Sequence, residues 1–99
     1  MYNRRMLTLA GGEIEMQIQA MPRYYTSHDF CTAFEEKYSV HYQDFVRYYT
    51  AKGKDRAHAI QIVHSQLMHT VNNRFRHLTR KLRTIPNPKG GDMSAWERY

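Results

Sequence analysis

Cys31, with His28 and Asp29 less than a helical turn before it, brings a thiol, an imidazole and a carboxylate together. Such a set could support thiol chemistry, because the thiolate is the attacking species and a nearby base favours it. Phe30 and Phe34 flank the cysteine on an amphipathic pattern, however, and a lone cysteine there acts as a small core side chain. Histidine offers a second chemistry. The imidazoles at positions 28, 41, 58, 64, 69 and 77 lack the i, i+4 pair with a nearby acid that helical zinc sites use, and His28 with Cys31 makes only two ligands. His64 lies at the edge of an apolar stripe, where a half-buried and satisfied side chain is expected. Gly90-Gly91 has neither a following Lys-Ser/Thr pair nor a following helix, so it is a turn rather than a phosphate loop. No catalysis, metal or other cofactor is expected, and no small-molecule substrate is evident.

The third chemistry is electrostatic, and its signal is one-sided. Residues 1–50 carry five Lys/Arg against six Asp/Glu, whereas residues 51–99 carry ten against three. From Arg74 to Lys89 there are six cations and no acid. Helix C-termini attract cations through the macrodipole, but ordinary surfaces mix signs over such a length. A field of one sign on a small domain favours a polyanionic partner, most often nucleic acid. Tyr24-Tyr25 and Tyr48-Tyr49 could stack on single-stranded bases. Tyr42 and Tyr49 fall on an apolar stripe, so core packing is the simpler account of them.

The elements that position these groups follow from pattern. Ninety-nine residues are expected to form a single domain, 1–99, with a modest core and no room for a large catalytic cleft. One cysteine cannot form an internal disulfide, and no signal-peptide core or long apolar run is present. The expected setting is therefore cytoplasmic, nucleoid-associated if bacterial, with no membrane partner, and Met1–Arg5 is expected to be the protein's own N-terminus. Gly11-Gly12 separate a short apolar segment from a first helix over Glu13–Met21, stopped by Pro22, although Ile14, Met16, Ile18 and Ala20 also alternate as a strand would. Arg23–Thr26 is β-prone, and Thr26 or Ser27 with Asp29 forms a capping box. Phe30, Phe34 and Tyr38 mark a second helix, and Tyr42, Phe45, Val46 and Tyr49 a third, after which Gly53 suits a left-handed position. Asp55 caps the longest predicted helix, Arg56 to about Leu82. Its apolar residues recur every three or four positions through Phe75, Leu78 and Leu82, which puts His69, Asn73, Arg76 and Arg80 on the opposite face. Pro86–Asp92 is then a hairpin tip, with strands at Ile85 before it and Met93–Trp96 after it.

The predicted class is mainly α with a small β-hairpin, and three or four helices followed by a basic hairpin resemble the winged-helix branch of the helix-turn-helix DNA-binding proteins. The resemblance runs from Glu13 to Trp96. Tyr24-Tyr25-Thr26 stands where that family has its first strand. Arg83-Thr84-Ile85, Lys89-Gly90-Gly91-Asp92 and Ser94-Ala95-Trp96 look like its wing, about 83–97, with Trp96 packing back on the core. The resemblance implies a small transcriptional regulator that binds double-stranded DNA, with the helix before the wing in the major groove. Amides pair with adenine edges and arginine with guanine, so Gln66, Asn73, Arg76 and Arg80 would read bases. His69, His77, Lys81, Arg83 and Lys89 would contact phosphates.

One departure from the family is the length of that helix, which exceeds the usual recognition helix. A break near His69–Asn72, or a separate task for its first half, would reconcile the two. If the helix at 42–51 is the reader instead, Gln43, Arg47 and Tyr48 take that role. A homodimer would enlarge a short site, and Ile60–Met68, with Ile62 and Met68 off the strict stripe, is the surface expected to carry it. The competing expectation is an adaptor or inhibitor that grips an acidic protein with the same basic face.

Overall fold

Met6, Ala10, Ile14 and Ile18 recur every four residues, and all are buried along one side of the first helix, α1 (Tyr2–Ala20). The computed structural model describes residues 2–88 and 90–99. The chain is thus helical well before Glu13, where pattern alone predicts the first helix to begin. The expected break is nevertheless present, one residue before Gly11-Gly12: Ala10 leaves helical geometry at φ −136°, ψ 17°, and two helical stretches meet there at a kink. Residues on both sides of the kink, Met6 before it and Ile14 and Ile18 after it, are buried in the same core.

Local signals set the next three elements. Tyr24–Thr26 forms β1, and Thr26 caps α2 (Ser27–Lys37) in a capping box with Asp29, both hydrogen bonds measuring 3.0 Å. Tyr38 alone separates α2 from α3 (Ser39–Thr50). Gly53 then turns the chain at φ 91°, a conformation that strains any residue with a Cβ. Asp55 opens α4 (Arg56–Arg74) by accepting the His58 backbone N–H at 2.8 Å. Phe30, Phe34, Tyr42, Phe45, Val63, Leu67 and Val71 close one core against α1.

The long helix stops earlier than its periodicity predicts. Phe75 leaves helical geometry at φ −127°, ψ 31°, and Thr79–Pro86 is a strand, β2, paired antiparallel with β3 (Asp92–Arg98). Leu78 and Leu82 keep helical spacing with no glycine or proline between, so pattern alone runs on. Tertiary pairing decides otherwise. The buried Thr79 hydroxyl donates to the Glu97 carbonyl at 2.7 Å, which leaves it to accept the Tyr25 hydroxyl, also at 2.7 Å. A bulge between Lys81 and Arg83 then carries Leu82 outward, 43% exposed.

The strands lie in the order β1-β3-β2, with Trp96 opposite both Tyr25 and Lys81. Gly90 and Gly91 take positive φ at the hairpin tip, as the turn composition predicts, but the paired strands reach from Thr79 to Arg98 and exceed the expected 83–97. The result is a mainly helical chain with a small three-stranded antiparallel sheet. Among the described residues no helix is long and apolar enough to cross a membrane.

Thr79 is the hub of its buried hydrogen-bond chain. Thr79→Val deprives both Tyr25 and Glu97 of a partner and lowers stability by about 1–3 kcal/mol in urea unfolding. Tyr25→Phe removes only the outer donor and costs about 1 kcal/mol. Equal losses in the two variants would deny Thr79 that central role.

Candidate nucleic-acid interface

Ala59, Val63, Leu67, Thr70 and Val71 fix the side of α4 that faces the core. Residues four apart climb a helix as a slowly drifting ridge, since each step turns it by about 400°. Gln61, Ser65, His69 and Asn73 form such a series away from the core, and all four are exposed. The ridge spans ~18 Å at 1.5 Å per residue and offers amide, hydroxyl and imidazole groups. Cations stand at both ends of it. Lys52, Lys54 and Arg56 are exposed at the α3–α4 turn, where the intervening acid, Asp55, serves as the helix cap. Arg74 and Arg76 are exposed past the other end.

No family model, curated protein or solved structure matches this chain.

The predicted site residues are scattered over three settings. His69 and Asn73 stand on the ridge, and Arg76 lies just beyond it, its Nε donating to the Asn72 carbonyl at 3.1 Å. Gln66 does not belong there: it is half-buried, with Oε1 enclosed and without a hydrogen-bond partner among the described residues. His77 is exposed in the turn after α4, its ring centroid 6.1 Å from that of Phe75. Arg80, Lys81 and Arg83 sit on β2, so the expected helical face from His69 through Arg80 is not one surface. Lys89 lies outside the described residues.

Arg80 has a partner that composition does not reveal. It holds one oxygen of the Glu97 carboxylate at 2.9 Å, and Arg23 holds the other at 3.1 Å. The Arg80 hydrogen bond, with Arg23 adding to it, keeps the Glu97 carboxyl below the usual carboxylate range against its partial desolvation. Lys81 and Arg83 lie on an edge strand of the sheet, where cations also discourage pairing with other chains.

The α3 residues named as alternative readers are engaged locally. Gln43 accepts from Arg56 at 3.3 Å, Arg47 pairs with Asp44, and the Lys52 ammonium lies 4.6 Å from the Tyr48 ring centroid. Ile62 and Met68, expected as exposed residues for a second subunit, are half-buried, and Met68 packs against the core.

The thiol and imidazole groups are also placed. Cys31 is 1% exposed, its Sγ 4.0 Å from the His64 carbonyl, and burial pushes its pKa far up, with Glu35 adding to the effect. Nε2 of the half-buried His64 shares a 2.9 Å hydrogen bond with the Tyr42 hydroxyl. Burial, and secondarily His28, lowers the His64 pKa, so the ring is neutral at pH 7. Among the described residues no group of three or more His, Cys, Asp or Glu could hold a metal ion.

Sequence reasoning overlooks Gln61, Ser65 and the cations before α4. Their signal is the period of four read backward from His69. A helix carried to Leu82 centres its polar face on Asn73, Arg76 and Arg80, and ending it at Arg74 moves that centre back by about two turns.

Proposed function

We propose that this chain is a small DNA-binding regulator of winged-helix type that reads the major groove of double-stranded DNA with α4. The observation that carries the proposal is the exposed ridge Gln61, Ser65, His69 and Asn73 with cations at both ends. Groups that donate and accept hydrogen bonds specify bases, and flanking cations hold phosphates. At 3.4 Å per base pair, an ~18 Å ridge spans roughly five base pairs. The order helix, short strand, helices and two-stranded hairpin supports the same reading, with one more helix than the family requires. Arg76, just beyond the ridge, is proposed to hold a phosphate instead of reading a base, and Arg80 pairs with Glu97.

The test is selection from a random duplex library at about 0.15 M salt, using the protein and a Ser65→Ala/His69→Ala/Asn73→Ala variant. An enriched motif that the variant fails to select supports base reading by the ridge, and a palindromic motif supports a dimer. A folded wild-type protein that enriches nothing sinks the proposal and leaves the acidic-protein adaptor as the reading to pursue.

A further inference from the structure

A cleft of about 530 Å³ opens between the start of α2, one side of α4 and the β2–β3 hairpin. That volume falls within the ~300–1,000 Å³ of small-molecule sites. Its lining is chemically divided. Met68, Met93 and Trp96 contribute apolar surface of the kind that accepts a planar ring, since the thioethers are polarizable and adapt in shape. Along α4, Gln61 and Ser65 contribute an amide and a hydroxyl toward one end of the cleft, and Asn72, about 16 Å from Gln61 along the helix, contributes an amide toward the other. Lys81 from β2 and His69 from α4 bring donors for an anion, while Asp92 is the acid in the lining. Trp96 is 2% exposed, and its buried indole N–H has no hydrogen-bond partner among the described residues. An unpaired buried donor is costly, and a ligand acceptor that reached it would relieve that cost.

We infer that this cleft binds a free mononucleotide, its base between Met68 and Met93 with its edge on the Asn72 amide, and its phosphate at Lys81. The assignment follows from the combination. An apolar slot alone would accept any aromatic compound, and a lysine alone any anion. An amide one turn from Met68, beside both, calls for a heterocycle with donors and acceptors on its rim. A regulatory consequence rests on the DNA-binding proposal. Ser65 and His69, within one turn of Met68, belong both to the cleft and to the exposed ridge, so nucleotide and duplex compete for that face of α4.

The chain contains a single tryptophan, so its indole N–H gives one assignable resonance from the cleft itself. Titration of the intact protein with AMP, GMP, CMP and UMP should shift that resonance saturably for at least one of them at or below about 1 mM. Lys81→Gln, an exposed strand position, should weaken that nucleotide roughly tenfold and leave its nucleoside unchanged. No saturable shift with any of the four overturns the assignment, as does an equal shift with inorganic phosphate alone. A short single strand that binds more tightly than the mononucleotide overturns the free-ligand assignment. These arms use no duplex, so they stand or fall apart from the DNA proposal. Competition is read separately, as a loss of affinity for the selected duplex when nucleotide is present, and unchanged affinity removes the regulatory consequence alone.

Discussion

Trp96→Ala lowers the free energy of unfolding by about 3–5 kcal/mol, the range for emptying a buried aromatic site. Trp96 is 2% exposed at the middle of β3, opposite Tyr25 on one side and Lys81 on the other. Its side chain therefore joins the hairpin to the helical core, and its removal leaves both a cavity and a sheet with a poorer anchor. Domains of this kind are stable by only about 5–15 kcal/mol, so the variant forfeits a large fraction of that margin. Trp96→Phe retains a ring in the site and is expected to keep more than half of that stability. Urea unfolding measures both, and a cost below about 1 kcal/mol for the alanine variant would show that the surroundings collapse to fill the site.

Two kinds of signal in the sequence differ in how well they survive folding. Those that act within a few residues do so because their cause is local. Thr26 and Asp29 satisfy each other's backbone N–H groups, Asp55 accepts from His58, and Gly53 takes a left-handed turn, all without help from the rest of the chain. The end of α4 is different, because its cause lies elsewhere in sequence. Thr79 leaves the helical path to pair with Glu97 and Tyr25, and no feature of residues 75–82 announces those partners. Leu82 shows the cost of reading period alone, since a bulge turns an apparent stripe residue out to solvent.

The candidate site inherits that error in boundary. Composition locates charge on the second half of the chain but is blind to its pairing. Six cations between Arg74 and Lys89 read as one field, yet Arg80 is drawn to a carboxylate seventeen residues later in the chain. Gln66, chosen for its amide, is half-buried because it lies beside Val63, Leu67 and Thr70 on the side of α4 that faces the core. The hydrogen-bonding ridge from Gln61 to Asn73 was legible in the spacing. Only its direction along the helix depended on where the helix stops.

If α4 binds duplex DNA as proposed, Lys52→Gln, Lys54→Gln and Arg76→Gln combined are expected to flatten the dependence of log K on log salt by about 2.7, at ~0.9 for each phosphate that is no longer neutralised. The three cations flank the ridge from its two ends, where a duplex seated on α4 brings its two backbones. Asp55, the acid beside the first two, is occupied by the helix N-terminus and does not compete for them. At about 0.15 M salt that change in slope corresponds to roughly 100-fold in affinity relative to a 1 M reference, with the selected motif unchanged because no base reader is altered. Arg80→Gln provides the contrast. Freeing Arg80 for a phosphate would leave Glu97, whose side chain is 9% exposed, with Arg23 as its remaining partner. Its slope is therefore expected to stay within about 0.5 of wild type. Binding isotherms on the selected duplex at four or more salt concentrations measure each slope. Equal flattening by Arg80→Gln would return the basic strand to the interface, and an unchanged slope in the triple variant would remove the ends of α4 from it.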